Sequence, residues 1–282
     1  DFGAIADSQG DAGPGIRKAI EAARAAGGPA EVVLEAGKYR ITSLQDARFC
    51  FVIQAAHNLT LRGMPGRTEI VIANPKFLAF LIFDCDNVFL KDFAIDYDPV
   101  PFTQGKVVAV DAAGGTFDLD IEPGYSLMTE PWFVDAPQPA PKLGHIMDAK
   151  ARKLKPNAPD HMFVAAWAPV AGRVLRMTPP ASYKGQLSCL APGDHFVITA
   201  RSPSGTVEFD HNQNGGMENV TLYAGAGLAV ALIGNEGALE FRHCSIRFKP
   251  GTTRLITANG DGFHCVANRK GPIVENGYFE GM

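Results

Sequence analysis

One phrase recurs along this chain: a polar residue, two or three apolar positions alternating with polar ones, then a turn residue. It is seen in HNLTLRG (57–63), DNVFLKDFAIDYD (86–98), ENVTLYA (218–224), GALEFRHCSIRF (237–248) and GPIVENGYFEG (271–281). The last three begin about 19 and 34 residues apart. Each unit is too small to bury its own apolar face, whereas stacked units bury a continuous core, which predicts a solenoid. The strands are short and rich in Val, Ile, Leu and Phe, and no helices separate them. The expected fold is therefore all-β, a parallel β-helix rather than a doubly wound sheet. A β-sandwich is the runner-up, disfavoured by the uneven strand spacing.

A solenoid end exposes core and unpaired strand edges, so it needs a cap. GPGIRKAIEAARAAGG supplies a candidate. Ile16, Ala19, Ile20 and Ala23 fall on one helical face, Pro14 stands at its start and Gly27-Gly28 follow its end. From about Phe102 to Arg201 the coil phrase disappears. GKVVAVDAAGGTFDLDI reads as a hairpin, further strands follow, and prolines crowd between them. The expected organisation is cap and first coils over 1–101, an inserted small β-barrel or sandwich over 102–203, and later coils carrying a groove over 204–282.

The chain's 282 residues, 46% apolar and 20% charged, suffice for a large core. A net charge of −4 argues against nucleic acid as a partner. No apolar run reaches the roughly 18–20 residues of a membrane span; FLAFLIFDCDNVFL is broken by Asp84 and Asp86. There is neither a signal peptide nor an initiator Met, so the chain reads as a mature or trimmed product. Cys50, Cys85, Cys189, Cys244 and Cys265 include no CxxC pair. They read as free, buried thiols rather than disulfide partners or zinc ligands.

The opening DFGAIADSQGDAGPGIRKAIEAARAAGGPAEVVLEAGKYRI resembles the start of the pectate-lyase-like enzymes, which implies a right-handed parallel β-helix with an N-terminal capping helix. Three further phrases look like glycoside hydrolase family 110, the inverting α-1,3-galactosidases: IDYDPVPFTQGKVVAVD (95–111), MENVTLYAGAGLAVALIGNEG (217–237) and NGDGFHCVANRKGPIVENGYFEGM (259–282). In that family a similar Asp-Gly-x-His turn is followed one coil later by a strand ending in Glu-Gly and then by adjacent aspartates. The resemblance thus implies further carboxylates beyond Met282.

Inverting glycoside hydrolysis needs one carboxyl to protonate the leaving oxygen and another to activate water. Neighbouring coils can present such a pair. Asp261 is the catalytic candidate, its alternative being an ordinary Asx-turn residue. His264 reads as a sugar-hydroxyl donor or carboxylate orienter, or else as a partly buried polar residue. Glu236, Arg247 and Glu280 are substrate-binding candidates, each also readable as surface charge; the resemblance favours Glu236 somewhat. Asp96 and Asp98 read as ligands or as a strand-ending turn. Trp132 and Trp167 read as sugar-stacking or core residues.

The expected function is that of a secreted or periplasmic exo-acting enzyme releasing terminal α-1,3-linked galactose from an oligo- or polysaccharide, with no metal and no cofactor. The alternatives are a non-catalytic carbohydrate-binding or adhesive β-helix, and a polysaccharide lyase. A lyase ranks lower because no dense acidic calcium cluster stands in the sequence.

Overall fold

A computed structural model describes residues 2–258 and 260–281. Helix α1 (Gly13–Ala25) comes first. The chain then visits three sheets, here I, II and III, in fixed order. Coil 1 is β1 (Ala30–Val33), β2 (Gly37–Ile41) and β3 (Phe49–Gln54); coil 2 is β4 (His57–Arg62), β5 (Thr68–Ile72) and β6 (Leu78–Phe83). Coil 3 begins with β7 (Asp86–Lys91) and β8 (Ala94–Tyr97). It then detours through β9 (Phe102–Asp111), β10 (Thr116–Ile121), β11 (Lys142–Asp148), β12 (Lys153–Leu154), β13 (Met162–Val164), β14 (Ala166–Ala171), β15 (Val174–Thr178) and β16 (His195–Thr199), and closes with β17 (Gly205–Asp210). Coil 4 is β18 (Gly215–Glu218), β19 (Thr221–Leu222) and β20 (Leu228–Ile233); coil 5 is β21 (Leu239–Arg242), β22 (Ser245–Ile246) and β23 (Phe263–Val266). Strands β24 (Ile273–Glu275) and β25 (Tyr278–Phe279) add a sixth turn to sheets I and II.

Every strand of sheets I to III pairs in parallel with its counterpart in the adjacent coil. The stack is therefore a parallel β-helix. Like residues align along it, so Phe51 stacks on Phe80 with ring centroids 4.8 Å apart, while across the core Phe241 of sheet I meets Phe263 of sheet III edge-on at 4.7 Å. Ile16 and Ile20 of α1 join this same core. The close stacking also fixes a composition rule at β18, which lies between β7 and β21. Gly216 has φ +145°, and a Cβ there would sit 1.8 Å from the Glu240 carbonyl oxygen, so only glycine fits.

The recurring phrase now has a geometric meaning. From coil 3 onward it runs from a sheet I strand through a corner into a sheet II strand, whereas HNLTLRG in coil 2 covers the sheet I strand alone. The corner is two residues long in coils 3 to 6: 92–93, 219–220, 243–244 and 276–277. Its first residue is left-handed each time, with φ 63° at Asp92, 52° at Asn219, 55° at His243 and 54° at Asn276. Asn, Asp and His are the non-glycine types that accept this conformation most readily.

The corner from sheet III to sheet I repeats a second device. A left-handed residue (Ala55, Asp84, His211, Gly234 or Ala267) precedes a residue whose side chain or backbone bonds to an adjacent coil. In coils 3 to 5 that residue is asparagine, and the three form a ladder. Asn212 Nδ2 donates to Asn235 Oδ1 at 3.1 Å, and Asn235 Nδ2 donates to Asn268 Oδ1 at 2.7 Å. Asn212 Nδ2 also donates to the Ile82 carbonyl and Asn235 Nδ2 to the Phe209 carbonyl. Replacing the buried Asn235 with Leu orphans partners on both sides. The expected cost is about 1–3 kcal/mol, read as a lowered denaturant midpoint.

The residues of the detour form one eight-stranded antiparallel sheet with its own core around Phe117, Leu119, Phe133 and Phe196. The expected hairpin is there, Phe117 facing Val110 across β9 and β10. The pairing path is open, with β12 and β14 at its two ends, so barrel closure is not among the described pairings.

All five cysteines are free. Burial pushes the thiols of Cys85 and Cys244 up to about 11 and that of Cys50 up to about 12. Cys265 departs from the expectation of a buried thiol. It is exposed, because β23 is the end strand of sheet III among the described residues. A thiol-specific reagent at mild pH is expected to label Cys265, with slower labelling of the half-buried Cys189, and to reach Cys50, Cys85 and Cys244 only on unfolding. Rapid labelling of all five in the native protein would contradict this burial pattern.

Candidate active site

Side chains alternate along each strand, so sheet III has a core face and an outer face. Val207, Val230 and Phe263 point to the core. The next position in register, Val52–Leu81–Glu208–Ala231–His264, forms a row on the outer face. Asp261 stands at the sheet II-to-III edge of this face, just before β23. It is fixed there through its backbone: the Ala229 N–H donates to the Asp261 carbonyl at 2.9 Å, and the Val230 N–H to that of Gly262 at 3.0 Å.

Three residues apart on an extended strand, Asp261 and His264 need not face one way. The chain bends at Gly262 and brings them together, with His264 Nδ1 2.6 Å from Asp261 Oδ2. Their side chains are 43% (His264) and 58% (Asp261) exposed, so the pair is open to a ligand. An imidazole that donates through Nδ1 to this carboxylate is held in one orientation and presents Nε2 to the groove as an acceptor.

Two further groups border the pair, and sequence reasoning did not single them out. Arg201, just past the end of β16, brings its guanidinium over Gly260; a Cβ on Gly260 would lie 3.3 Å from Arg201 Nη2. Glu208 shares the outer-face row with His264, two strands away across the small Ala231. It is buried and accepts a hydrogen bond from Ser204 Oγ. At about 4.8 Å per strand its backbone lies roughly 10 Å from that of His264. The available signal was GTVEFD, where a strand's alternation puts an acid opposite the core positions.

The other candidates lie elsewhere. Glu236 is at the opposite, sheet III-to-I edge and pairs with Arg269 at 3.3 Å, both well exposed. Arg247 lies over the ring of Tyr278, 5.5 Å from its centroid. Glu280 accepts from the Phe248 N–H at 3.0 Å and the Tyr278 hydroxyl at 2.9 Å, tying the last described turn to the segment that leads toward Asp261. Trp132 and Trp167 pack on Phe133 in the core of the inserted sheet. Asp98 is exposed beside the cleft over sheet II.

Asp96 belongs to a different construction. Nearly buried on the outer side of sheet II, it accepts Arg254 Nη1 at 2.6 Å and Nη2 at 3.1 Å, and Lys249 Nζ at 2.7 Å. Lys249 also bridges to Glu69, and both partners hold its ammonium pKa above the ordinary value despite burial acting the other way. The stretch from Lys249 to Arg254, which leads toward Asp261, is thereby clamped onto coils 2 and 3.

No family model matches the sequence. Alpha-1,3-galactosidase B of Akkermansia muciniphila is 22% identical over 299 residues, an alignment covering all of this chain and 37% of that protein. The chain thus spans little more than a third of the length of the curated relative it matches. Among solved structures, a candidate glycosyl hydrolase of Parabacteroides merdae superposes with a TM-score of 0.43 at 9% identity, covering 99% of this chain and 95% of its own. The A-module of the Azotobacter vinelandii mannuronan C-5 epimerase AlgE6 gives 0.42 at 13%, covering 100% and 55%. Among the described residues no helix is long and apolar enough to cross a membrane.

Proposed function

We propose that this chain is the catalytic β-helix portion of a glycoside hydrolase that releases terminal α-1,3-linked galactose with inversion of configuration. The observation that carries the reading is the Asp261–His264 pair, a carboxylate with an orienting imidazole at the open edge of the sheet III groove. The name of the Akkermansia relative and the resemblance of the closing phrases to glycoside hydrolase family 110 support the substrate class. In this reading Asp261 supplies one of the two carboxyl functions, and the other comes from residues that follow Met282. Residues 1–101 are the cap and first coils, 102–203 the insert, and 204–282 the coils that carry the groove. Arg201 and His264 hold sugar hydroxyls, and Glu208 lines the floor. Glu236, Arg247 and Glu280 act at the periphery or through the fold. Release from an extracellular glycan fits a secreted or periplasmic location.

Inversion places attacking water and leaving oxygen on opposite faces of the ring, with the two carboxyls roughly 6.5–9.5 Å apart. The test is the anomeric form of galactose released from an α-1,3-galactosyl disaccharide, followed by NMR, using the chain together with the residues that follow it. β-Galactose as first product supports the reading. α-Galactose rules out inversion, and intact glycan binding without turnover favours a binding module.

A further inference from the structure

A second concavity opens on the other side of the segment that carries Asp261. Its volume is about 660 Å³ and its floor is the outer face of sheet II. Lys38 and Arg40 of β2, Glu69 and Val71 of β5, and Asp96 of β8 form that floor. One wall is the turn at Asp7, another is Thr252 to Arg254, and a third is Pro123 to Tyr125 of the inserted sheet. The walls are tied to one another: Tyr125 and Thr253 share a hydroxyl contact at 3.3 Å, and Arg152 Nη2 donates to the Thr252 carbonyl at 2.5 Å. Clefts of this size at the junction of two structural units are characteristic ligand sites.

The charges of the lining sort into two sets. Glu69, Asp96, Lys249 and Arg254 neutralise one another within the clamp and are spent on it. The other four are Lys38, Arg40, Asp7 and Asp98. Among the described residues the side chains of Lys38, Arg40 and Asp98 enter no hydrogen bond or ion pair, while Asp7 uses one oxygen, Oδ1, for the Lys38 N–H. The cleft thus offers two free cationic donors, two free carboxylate acceptors and the hydroxyls of Tyr125, Thr252 and Thr253. An anionic or cationic ligand would meet two like charges for every two it satisfies. A molecule with many hydroxyls, each donating and accepting, satisfies both sets at no net charge cost.

We propose that this cleft is a second saccharide site, one that takes a neutral oligosaccharide and lies apart from the Asp261–His264 groove. Arg40 and Lys38 donate to ring and hydroxyl oxygens, Asp98 and the free Asp7 oxygen accept from hydroxyls, and Tyr125 flanks the sugar. The proposal shares with the preceding reading only the chemical class of the ligand. Because Thr252 to Arg254 form a wall of the cleft and lead toward Asp261, a glycan bound here lies beside the chain that feeds the groove.

The experiment is a titration of the Asp261→Asn protein with an α-1,3-linked galactose disaccharide, followed by amide chemical shifts. Glucuronate and glycylglycine serve as anionic and zwitterionic controls. Saturable shifts at Arg40, Asp98 and Thr253 are expected with the disaccharide, at least tenfold weaker with either control. They should persist in His264→Ala, which disables the groove. They should weaken at least tenfold in Arg40→Ala combined with Asp98→Ala, and also in Lys38→Ala, with the remaining spectrum unchanged. Absence of saturable shifts at these positions, or equal shifts with a control, overturns the proposal. Turnover by the chain together with the residues that follow it, with no shift in the cleft, removes the second site and leaves the catalytic reading standing. Shifts in the cleft with no turnover by that longer chain do the reverse.

Discussion

Asp261→Asn is expected to lower kcat on an α-1,3-galactosyl substrate by about 10²–10⁴-fold, the usual contribution of a positioned acid or base. The substitution is close to isosteric and an amide can still meet His264, so the 2.6 Å contact is retained in altered form. The side chain is 58% exposed and takes no part in the core. The melting temperature should therefore stay within about a degree, and KM should change far less than kcat. His264→Gln is the companion measurement. It keeps a donor but loses the imidazole, so a smaller fall in kcat is expected, together with a changed pH profile. Near-normal turnover in Asp261→Asn would remove this carboxyl from the mechanism.

Asp96→Ala should have the largest effect on stability, about 3–5 kcal/mol, read as a lowered denaturant midpoint with unchanged slope. The Asp96 side chain is 3% exposed and that of Arg254 9%. Removing the carboxylate strands a guanidinium that is left with the Tyr223 carbonyl at 3.1 Å. It also takes from Lys249 one of its two anions. Breaking a buried pair costs more than the pair contributes, because the desolvated charge stays behind. The exposed Arg269–Glu236 pair is the internal control; Glu236→Ala is expected to change stability by less than about 1 kcal/mol. Because the same clamp anchors the stretch that leads toward Asp261, Asp96→Ala should also lower turnover at temperatures where the protein remains folded. An unchanged midpoint would mean that the cluster is not a stability element.

The sequence carried the architecture in its recurring phrase, but not the phrase's meaning. Reading GPIVENGYFEG or GALEFRHCSIRF as one strand and a turn misses that each folds as two strands of different sheets. Their shared signature is a left-handed Asn or His, a conformational preference that hydrophobic patterning does not register. The Asn212–Asn235–Asn268 ladder escaped notice because 23 and 33 residues separate its rungs, and no fixed period exposes it. The Asp96 clamp was beyond sequence reasoning for the same cause, its partners lying 153 and 158 positions away. Asp261 and His264 were legible because their pairing is local and a glycine stands between them. The strand order of the inserted sheet was not legible, because it depends on long-range pairing that prolines and a vanished phrase do not encode.

The three corners of each coil differ in their freedom of length. The sheet I-to-II corner stays at two residues through coils 3 to 6, and the sheet III-to-I corner must deliver an asparagine to its ladder. The sheet II-to-III corner ranges from the five residues 73–77 and 223–227 to the sixteen of 247–262 and the whole inserted sheet. It is the adjustable seam of the molecule. New chain can accrete there without shifting the rise or register of the stack, so a lineage built on this fold can change what it grips while its core stays constant.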